Sequence, residues 1–250
     1  MRKFFVDQSA VYGASIYIND PGDCRHLQKV LRAKPGDKIR ICDGSDWEYE
    51  TQIVQMEPSR VELKILDKQK IASEPEVRVT LYQGIPKASK METVIQKNVE
   101  LGIDTIVPVF MKRTVVVEKA NIEKKLSRWQ KISDEAAKQC KRGMIPQVQA
   151  PQSFTQMTKE LSKYDLILCP YENEQNTTMK DCLRNMCNAN KKPGNIAVII
   201  GPEGGFAEEE IHELVAKEVG AECVSLGKTI LRTETAGVVA LAMILYELEL

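Results

Sequence analysis

Two stretches in the last third of the chain carry residues whose types and spacing suit ligand chemistry. The first is Ile199-Ile200-Gly201-Pro202-Glu203-Gly204-Gly205-Phe206. An apolar run enters a loop rich in glycine, which reaches φ > 0 and lets the main chain approach a ligand closely. Glu208, Glu209 and Glu210 follow, carboxylates that suit a helix N-terminus and would repel a phosphate placed there. No Lys-Ser/Thr pair follows and there is no GxGxxG, so neither phosphate-loop pattern applies. By composition alone the stretch is a tight turn or a ligand loop. The second is Ser225-Leu226-Gly227-Lys228-Thr229-Ile230-Leu231-Arg232-Thr233-Glu234-Thr235-Ala236-Gly237. Thr233 is placed to cap the apolar segment that follows. Arg232 and Glu234 flank its start, and charges beside so apolar a segment need partners. They are a structural ion pair, or a cation and a carboxylate beside the glycine loop.

The elements that must hold these loops are legible in the periodicity. After residue 76 short apolar runs alternate with amphipathic stretches. Strands are expected over Val77–Gln83, Ile106–Phe110, Leu166–Cys169, Ile196–Ile200 and Cys223–Leu226. Ser89 with Glu92 three residues on reads as a capping box for a helix that Gly102 stops. Asn121 caps a second helix, and further helices are expected over about 178–188, 207–219 and 234–248. This alternation predicts a parallel α/β sheet with helices on both faces, and such sheets bind ligands outside the carboxyl ends of their strands. The first 70 residues differ. Lys38–Cys42, Trp47–Val54 and Arg60–Leu66 read as short strands of a small barrel, and 67–76 reads as a polar linker.

Composition narrows the class. Two hundred and fifty residues with 35 basic and 35 acidic groups give a net charge of zero. The charge is segregated, however: residues 86–150 carry 13 basic against 7 acidic groups (+6), and residues 201–250 carry 3 against 10 (−7). Lys87, Lys90, Lys97, Lys112, Arg113, Arg128, Lys131, Lys138, Lys141 and Arg142 make up most of the basic block, which is a solvated face or a polyanion contact. Seven cysteines without a CxxC pair indicate neither a disulfide framework nor a metal site. No apolar run reaches the roughly 20 residues a membrane span needs. A reduced, cytoplasmic protein with no membrane and no metal partner is expected.

The two loops together resemble the RsmE family, bacterial methyltransferases that modify N3 of a uridine in small-subunit (16S) ribosomal RNA. The resemblance extends along the chain. Phe4-Phe5, His26-Leu27, Val30-Leu31-Arg32 and Gly36-Asp37 are similar to the family's N-terminal domain. Lys87, Met91-Glu92, Gln96-Lys97 and Glu100-Leu101-Gly102 are similar to its first methyltransferase helix, and Arg128-Trp129 with Glu135 to Arg142 to its second. One departure stands out: Lys228-Thr229 replaces the family's usual Pro-Arg after Leu-Gly.

The resemblance implies an α/β architecture: a PUA-like RNA-binding β-barrel over 1–70, then a SPOUT methyltransferase domain over 74–250 with a C-terminal trefoil knot. It implies S-adenosyl-L-methionine as cofactor, held by Ile199, Ile200, Gly201, Pro202, Glu203, Gly204, Gly205, Leu226, Gly227, Ile230, Leu231, Arg232, Thr233, Thr235 and Ala236. A third cofactor loop is expected near Leu168–Glu172. Its partners would be small-subunit ribosomal RNA or the assembled 30S subunit, and a second copy of the chain through the knot region. Arg2, His26, Arg32, Lys87, Lys97, Arg113 and Arg142 are the expected RNA contacts. Uracil N3 must lose a proton, so Arg232 is the expected cation for the developing charge, and Glu203 or Glu234 the expected proton acceptor. Other readings remain at this point: a SPOUT enzyme acting on a ribose 2′-hydroxyl, an assembly factor that binds RNA without catalysis, and, more remotely, a dehydrogenase.

Overall fold

The computed structural model describes residues 3–44, 47–115, 122–188 and 192–249, so Arg2 and Asn121 lie outside the described residues. The chain divides into two compact units, Met1–Glu74 with Ala137–Ile145, and Pro75–Ala136 with Pro146–Leu250.

The first unit holds β1 (Lys3–Phe5), β2 (Val11–Tyr12), β3 (Ser15–Ile18), α1 (Pro21–Arg25), β4 (Lys38–Cys42), β5 (Trp47–Glu57) and β6 (Arg60–Lys70). They form one sheet in the order β1-β4-β5-β6-β3-β2, antiparallel except where β1 meets β4. The alternation legible in Lys38–Cys42 does its expected work. Ile39 and Ile41 point inward, where they join Phe4, Ile16, Ile18, Leu27, Ile53, Val61 and Leu63 in one core. The polar stretch 67–76 is not all linker. Asp67 to Lys70 continue β6 and pair with β5 as far as Trp47 opposite Lys70. Ladder hydrogen bonds need no apolar side chains, so a strand end that faces solvent carries no period-2 signal. Lys68 also sits 4.1 Å over the Trp47 ring.

The second unit is built on β7 (Arg78–Gly84), α2 (Lys90–Leu101), β8 (Thr105–Phe110), α3 (Ile122–Gln139, whose last turn belongs to the first unit), β9 (Gln147–Val148), β10 (Gln152–Ser153), α4 (Phe154–Glu160), β11 (Leu166–Pro170), α5 (Met179–Asn188), β12 (Asn195–Ile200), α6 (Glu208–Val215), β13 (Glu222–Val224) and α7 (Thr233–Leu248). The sheet runs β10-β8-β7-β12-β11-β13, with β9 beside β8, and every pairing in it is parallel. β7 and β12 at its centre are buried almost throughout, as strands covered on both faces must be.

The helix boundaries refine the sequence reading. Gly102 ends α2 at φ +111, where its N–H reaches the carbonyls of Asn98 and Val99. The expected capping box at Ser89 is absent, because Ser89 makes no side-chain cap and Glu92 instead binds Arg128 at 2.9 Å. A capping box does form at Ser153 and Gln156, in front of α4, which the periodicity did not reveal. α6 is shorter than expected and stops at Val215, after which Gly220 at φ +70 turns the chain toward β13. α7 packs on α2, α5, β7 and β12. Gly237 permits this approach, since a Cβ there would meet Leu81 at 3.2 Å. Among the described residues no helix is long and apolar enough to cross a membrane, and no group of three His, Cys, Asp or Glu side chains could hold a metal.

Candidate cofactor cavity

The carboxyl ends of β11, β12 and β13 open on a cavity of about 890 Å³, within the roughly 300–1,000 Å³ of small-molecule sites. Three loops wall it: Pro170–Gln175 after β11, Ile200–Phe206 after β12, and Ser225–Ala236 after β13. Of the residues expected to hold a cofactor, Ile200, Gly201, Pro202, Glu203, Gly205, Leu226, Gly227, Ile230, Leu231, Arg232, Thr233 and Ala236 line it. Three do not. Ile199 is buried in the sheet core, Gly204 packs against Arg113, and Thr235 is exposed away from the cavity. Of the third loop, Tyr171 and Glu172 line it, whereas Leu168 and Cys169 are buried strand residues.

Local chemistry explains how the loops are held. Thr233 was expected to cap α7, but it is the first residue of that helix and its hydroxyl works elsewhere. It donates to the carbonyl of Gly201 at 2.6 Å and accepts from Nε2 of Gln83 at 2.8 Å. The start of α7 is thereby tied to the β12 loop and to the end of β7. Glu210, also buried, accepts N–H bonds from Ala207 and Lys112, both at 2.8 Å. Arg113 Nη1 donates to the carbonyl of Gly204 at 2.9 Å. The acidic opening of α6 is therefore a clasp for the glycine loop. Gly205 sits at φ +68, a conformation that favours glycine, and a Cβ there would push aside the Glu172 carboxylate, 2.6 Å away.

The charged groups do not pair as the sequence suggested. Arg232 is exposed and makes no side-chain hydrogen bond or ion pair among the described residues, so it is not the partner of Glu234. Lys90, the first residue of α2, takes that place. Its Nζ lies 3.0 Å from Glu203 Oε1 and 3.4 Å from Glu234 Oε2. Glu203 also accepts the N–H of Lys87 at 3.0 Å. Burial alone would raise the Glu203 carboxyl, but the Lys90 ammonium and backbone N–H groups outweigh it and hold it below the usual range. The same contact with Glu203 pushes the Lys90 ammonium up. Glu234 Oε2 is buried and, beyond the nearby ammonium, has no hydrogen bond. Sequence reading placed Lys90 only in the basic block; no local signal ties it to two carboxylates so distant along the chain.

The expected RNA contacts fare unevenly. His26, Arg32, Lys87, Lys97 and Arg113 are exposed. His26 meets Phe4 edge to face, and Lys97 pairs with Glu100. Arg142 is a correction. It is 4% exposed, and its Nε donates to Glu74 at 3.0 Å inside the first unit, so it is a structural cation and not a surface contact. A guanidinium with its fork on a carboxylate is satisfied without RNA.

The cavity suits a small ligand with charged and polar edges, since Lys90, Lys228 and Arg232 line it beside the carboxylates. Glycine backbone floors it, the carboxylates of Glu172, Glu174, Glu203 and Glu234 line it, and Glu234 keeps a buried oxygen without a hydrogen bond. The chain matches the model of an RNA methyltransferase domain over residues 73–245 and that of an RNA methyltransferase PUA domain over residues 18–66. It is 32% identical to the ribosomal RNA small subunit methyltransferase E of Mesomycoplasma hyopneumoniae, over 95% of this chain and 96% of that one. With the protein of the same name from Bacillus subtilis it shares 29% identity, over 100% of this chain and 98% of the other. The crystal structure of a Neisseria gonorrhoeae ribosomal RNA small subunit methyltransferase E bound to S-adenosyl methionine superposes with a TM-score of 0.80, at 30% identity, over 98% and 97% of the two chains.

Proposed function

Because the chain belongs to the ribosomal RNA small subunit methyltransferase E family, we propose that it moves a methyl group from S-adenosyl-L-methionine to N3 of a uridine in small-subunit (16S) ribosomal RNA. The observation that carries this reading is the cavity at the strand ends, where the two loops legible in the sequence meet a lysine and two glutamates. S-adenosyl-L-methionine, when bound, supplies a methyl group on a sulfonium and needs no further activation. Ile200 to Glu203, Gly205, Leu226-Gly227, Ile230 to Glu234 and Ala236 would hold it, with the carboxylates of Glu172 and Glu174 on the same wall.

The chain's own residues supply position, charge and a proton acceptor. Holding the reacting atoms in line carries most of the acceleration in a displacement of this kind. Glu203 is the weaker of the two candidate bases, since its carboxylate is engaged by Lys87 N–H and Lys90. Glu234, whose buried Oε2 meets only the Lys90 ammonium at 3.4 Å and accepts no backbone N–H, is the better one. Arg232, exposed and unpaired at the rim, is free to meet the negative charge that spreads to uracil O2 and O4. The pairing edge of uracil is hidden in a duplex, so the target base is single-stranded or flipped into the cavity.

The finer features belong to the same proposal. The knot is supported by the path of the chain, which leaves edge strand β13, lines the cavity over 225–232 and then buries α7 on α2. The homodimer is supported by α7, which is apolar along most of its length and leaves Tyr246 70% exposed. Small-subunit ribosomal RNA, free or in the 30S subunit, is the substrate, and the cytoplasm is the place of action. The test is mass spectrometry of ribosomal RNA nucleosides from cells without the gene. Loss of 3-methyluridine, restored by the gene, is expected; an unchanged nucleoside profile would refute the reading.

A further inference from the structure

We propose that Lys90 is a positioning residue for the methyl transfer, engaging Glu203 so that Glu234 stands ionised and ready to take the N3 proton. The inference rests on the reading of the cavity given above. Its basis is geometric. One ammonium lies 3.0 Å from Glu203 and 3.4 Å from Glu234, at the first residue of α2. Glu203 is further fixed by the N–H of Lys87, whereas the Oε2 of Glu234 is buried without a hydrogen bond. The three side chains come from three elements and meet on the cavity wall.

In the step served, the N3–H bond breaks and its proton passes to Glu234. The N3 electron pair forms the bond to the methyl carbon while the carbon–sulfur bond breaks and its pair returns to sulfur. The two carboxylates share one counter-charge, and without that ammonium each takes up a proton more readily. The other charged groups on the wall are Glu172, Glu174, Lys228 and Arg232, so carboxylates outnumber cations and none replaces Lys90 between the pair.

The experiment is the pH profile of kcat for methyl transfer to small subunits by the full chain. In Lys90→Gln the acidic limb moves up by about one pH unit or more, the usual effect of an adjacent opposite charge. Lys90→Arg keeps the wild-type limb. Glu203→Gln, which leaves the ammonium to Glu234 alone, moves the limb down. Calorimetry with S-adenosylmethionine reports whether each variant keeps the cavity; if Lys90→Gln loses it, Glu203→Gln and Lys90→Arg decide. Acidic limbs that stay at the wild-type position in Lys90→Gln and Glu203→Gln would overturn the proposal. A wild-type protein that binds the cofactor but transfers no methyl group would overturn the proposed function, and this role with it.

Discussion

The tie made by Thr233 gives the sharpest test of how the cavity is held. Thr233→Val keeps the side-chain shape and removes the hydroxyl. The carbonyl of Gly201 then loses a donor at 2.6 Å and Gln83 Nε2 loses an acceptor at 2.8 Å. Gln83 has little to spare, because its Oε1 is already buried without a partner and its remaining bond is to the carbonyl of Gly84. A buried polar group left without a partner costs about 1–3 kcal/mol, so the two together cost about 2–6 kcal/mol. Gly201 lines the cavity and can admit water, which favours the lower end, about 2–3 kcal/mol. For a unit of this size that lowers Tm by about 4–12 °C. Scanning calorimetry of the full chain measures it in the transition of the C-terminal unit. S-adenosylmethionine affinity should fall about tenfold, since 1.4 kcal/mol is a factor of ten and the tie fixes two of the three walls. Thr233→Ser restores both bonds and should stay within about 1 kcal/mol of wild type. A Thr233→Val protein that melts with the wild type, or a Thr233→Ser protein that melts with Thr233→Val, would refute the hydroxyl's role.

Four further outcomes are expected. Arg232→Ala should bind S-adenosylmethionine within about tenfold of wild type yet turn over roughly 100-fold more slowly, the loss typical of one charge-stabilising donor; normal turnover removes it from the chemistry. Gly84→Ala would place a Cβ 2.6 Å from Pro202 N and 2.9 Å from Gly201 C, so calorimetry should find the C-terminal unit about 1–3 kcal/mol less stable. Arg142→Met strands Glu74, which would keep the N–H groups of Gly143 and Met144, and should destabilise the N-terminal unit by about 3 kcal/mol in urea. Arg32→Ala and Lys87→Ala should each weaken RNA binding and flatten its dependence on log salt by about 0.7 per lost phosphate contact, without changing cofactor affinity. Point variants suit this last test better than deletion of residues 1–70, because β6 ends at Lys70 and Ala137–Ile145 packs with the N-terminal residues.

The parallel sheet was legible because β8, β11 and β12 are largely apolar runs, as strands buried on both faces are, and β7 carries Val79, Leu81 and Tyr82 among its polar residues. The cavity walls were legible because glycine-bearing loops follow β12 and β13. What escaped were contacts between distant segments. Ser89 and Glu92 carry the spacing of a capping box, yet Glu92 is drawn to Arg128 on another helix, and local propensity yields to that contact. Thr233 satisfies every rule for a helix cap and is instead spent on Gly201 and Gln83. Lys90 looks like one more surface lysine until folding sets Glu203 and Glu234 beside it. Arg142 errs in the other direction. A cation in a basic run reads as surface, and its burial becomes visible only with Glu74 in place.

Charge shows the same principle most broadly. The excess of +6 over residues 86–150 reads as a polyanion face, and the −7 over residues 201–250 as a separate acidic one. Folding mixes them: Lys112 pairs with Glu209, and Lys90 with Glu203 and Glu234. Arg142 goes to Glu74, Lys138 to Asp23, and Lys97, Arg128 and Lys131 to Glu100, Glu92 and Glu135. The exposed pairs among these are worth at most about 1 kcal/mol each, so a phosphate can displace the carboxylate. The carboxylate nevertheless stays nearby, and an approaching polyanion meets a dipole more than a bare cation. Lys87, Arg113, Lys124 and Arg232 are among the exposed cations of the C-terminal unit that have no carboxylate partner among the described residues. Phosphate contacts carry no sequence information of their own, so these cations alone cannot select one site in an RNA. Selection therefore has to come from the shape of the RNA and from the base that fits the cavity.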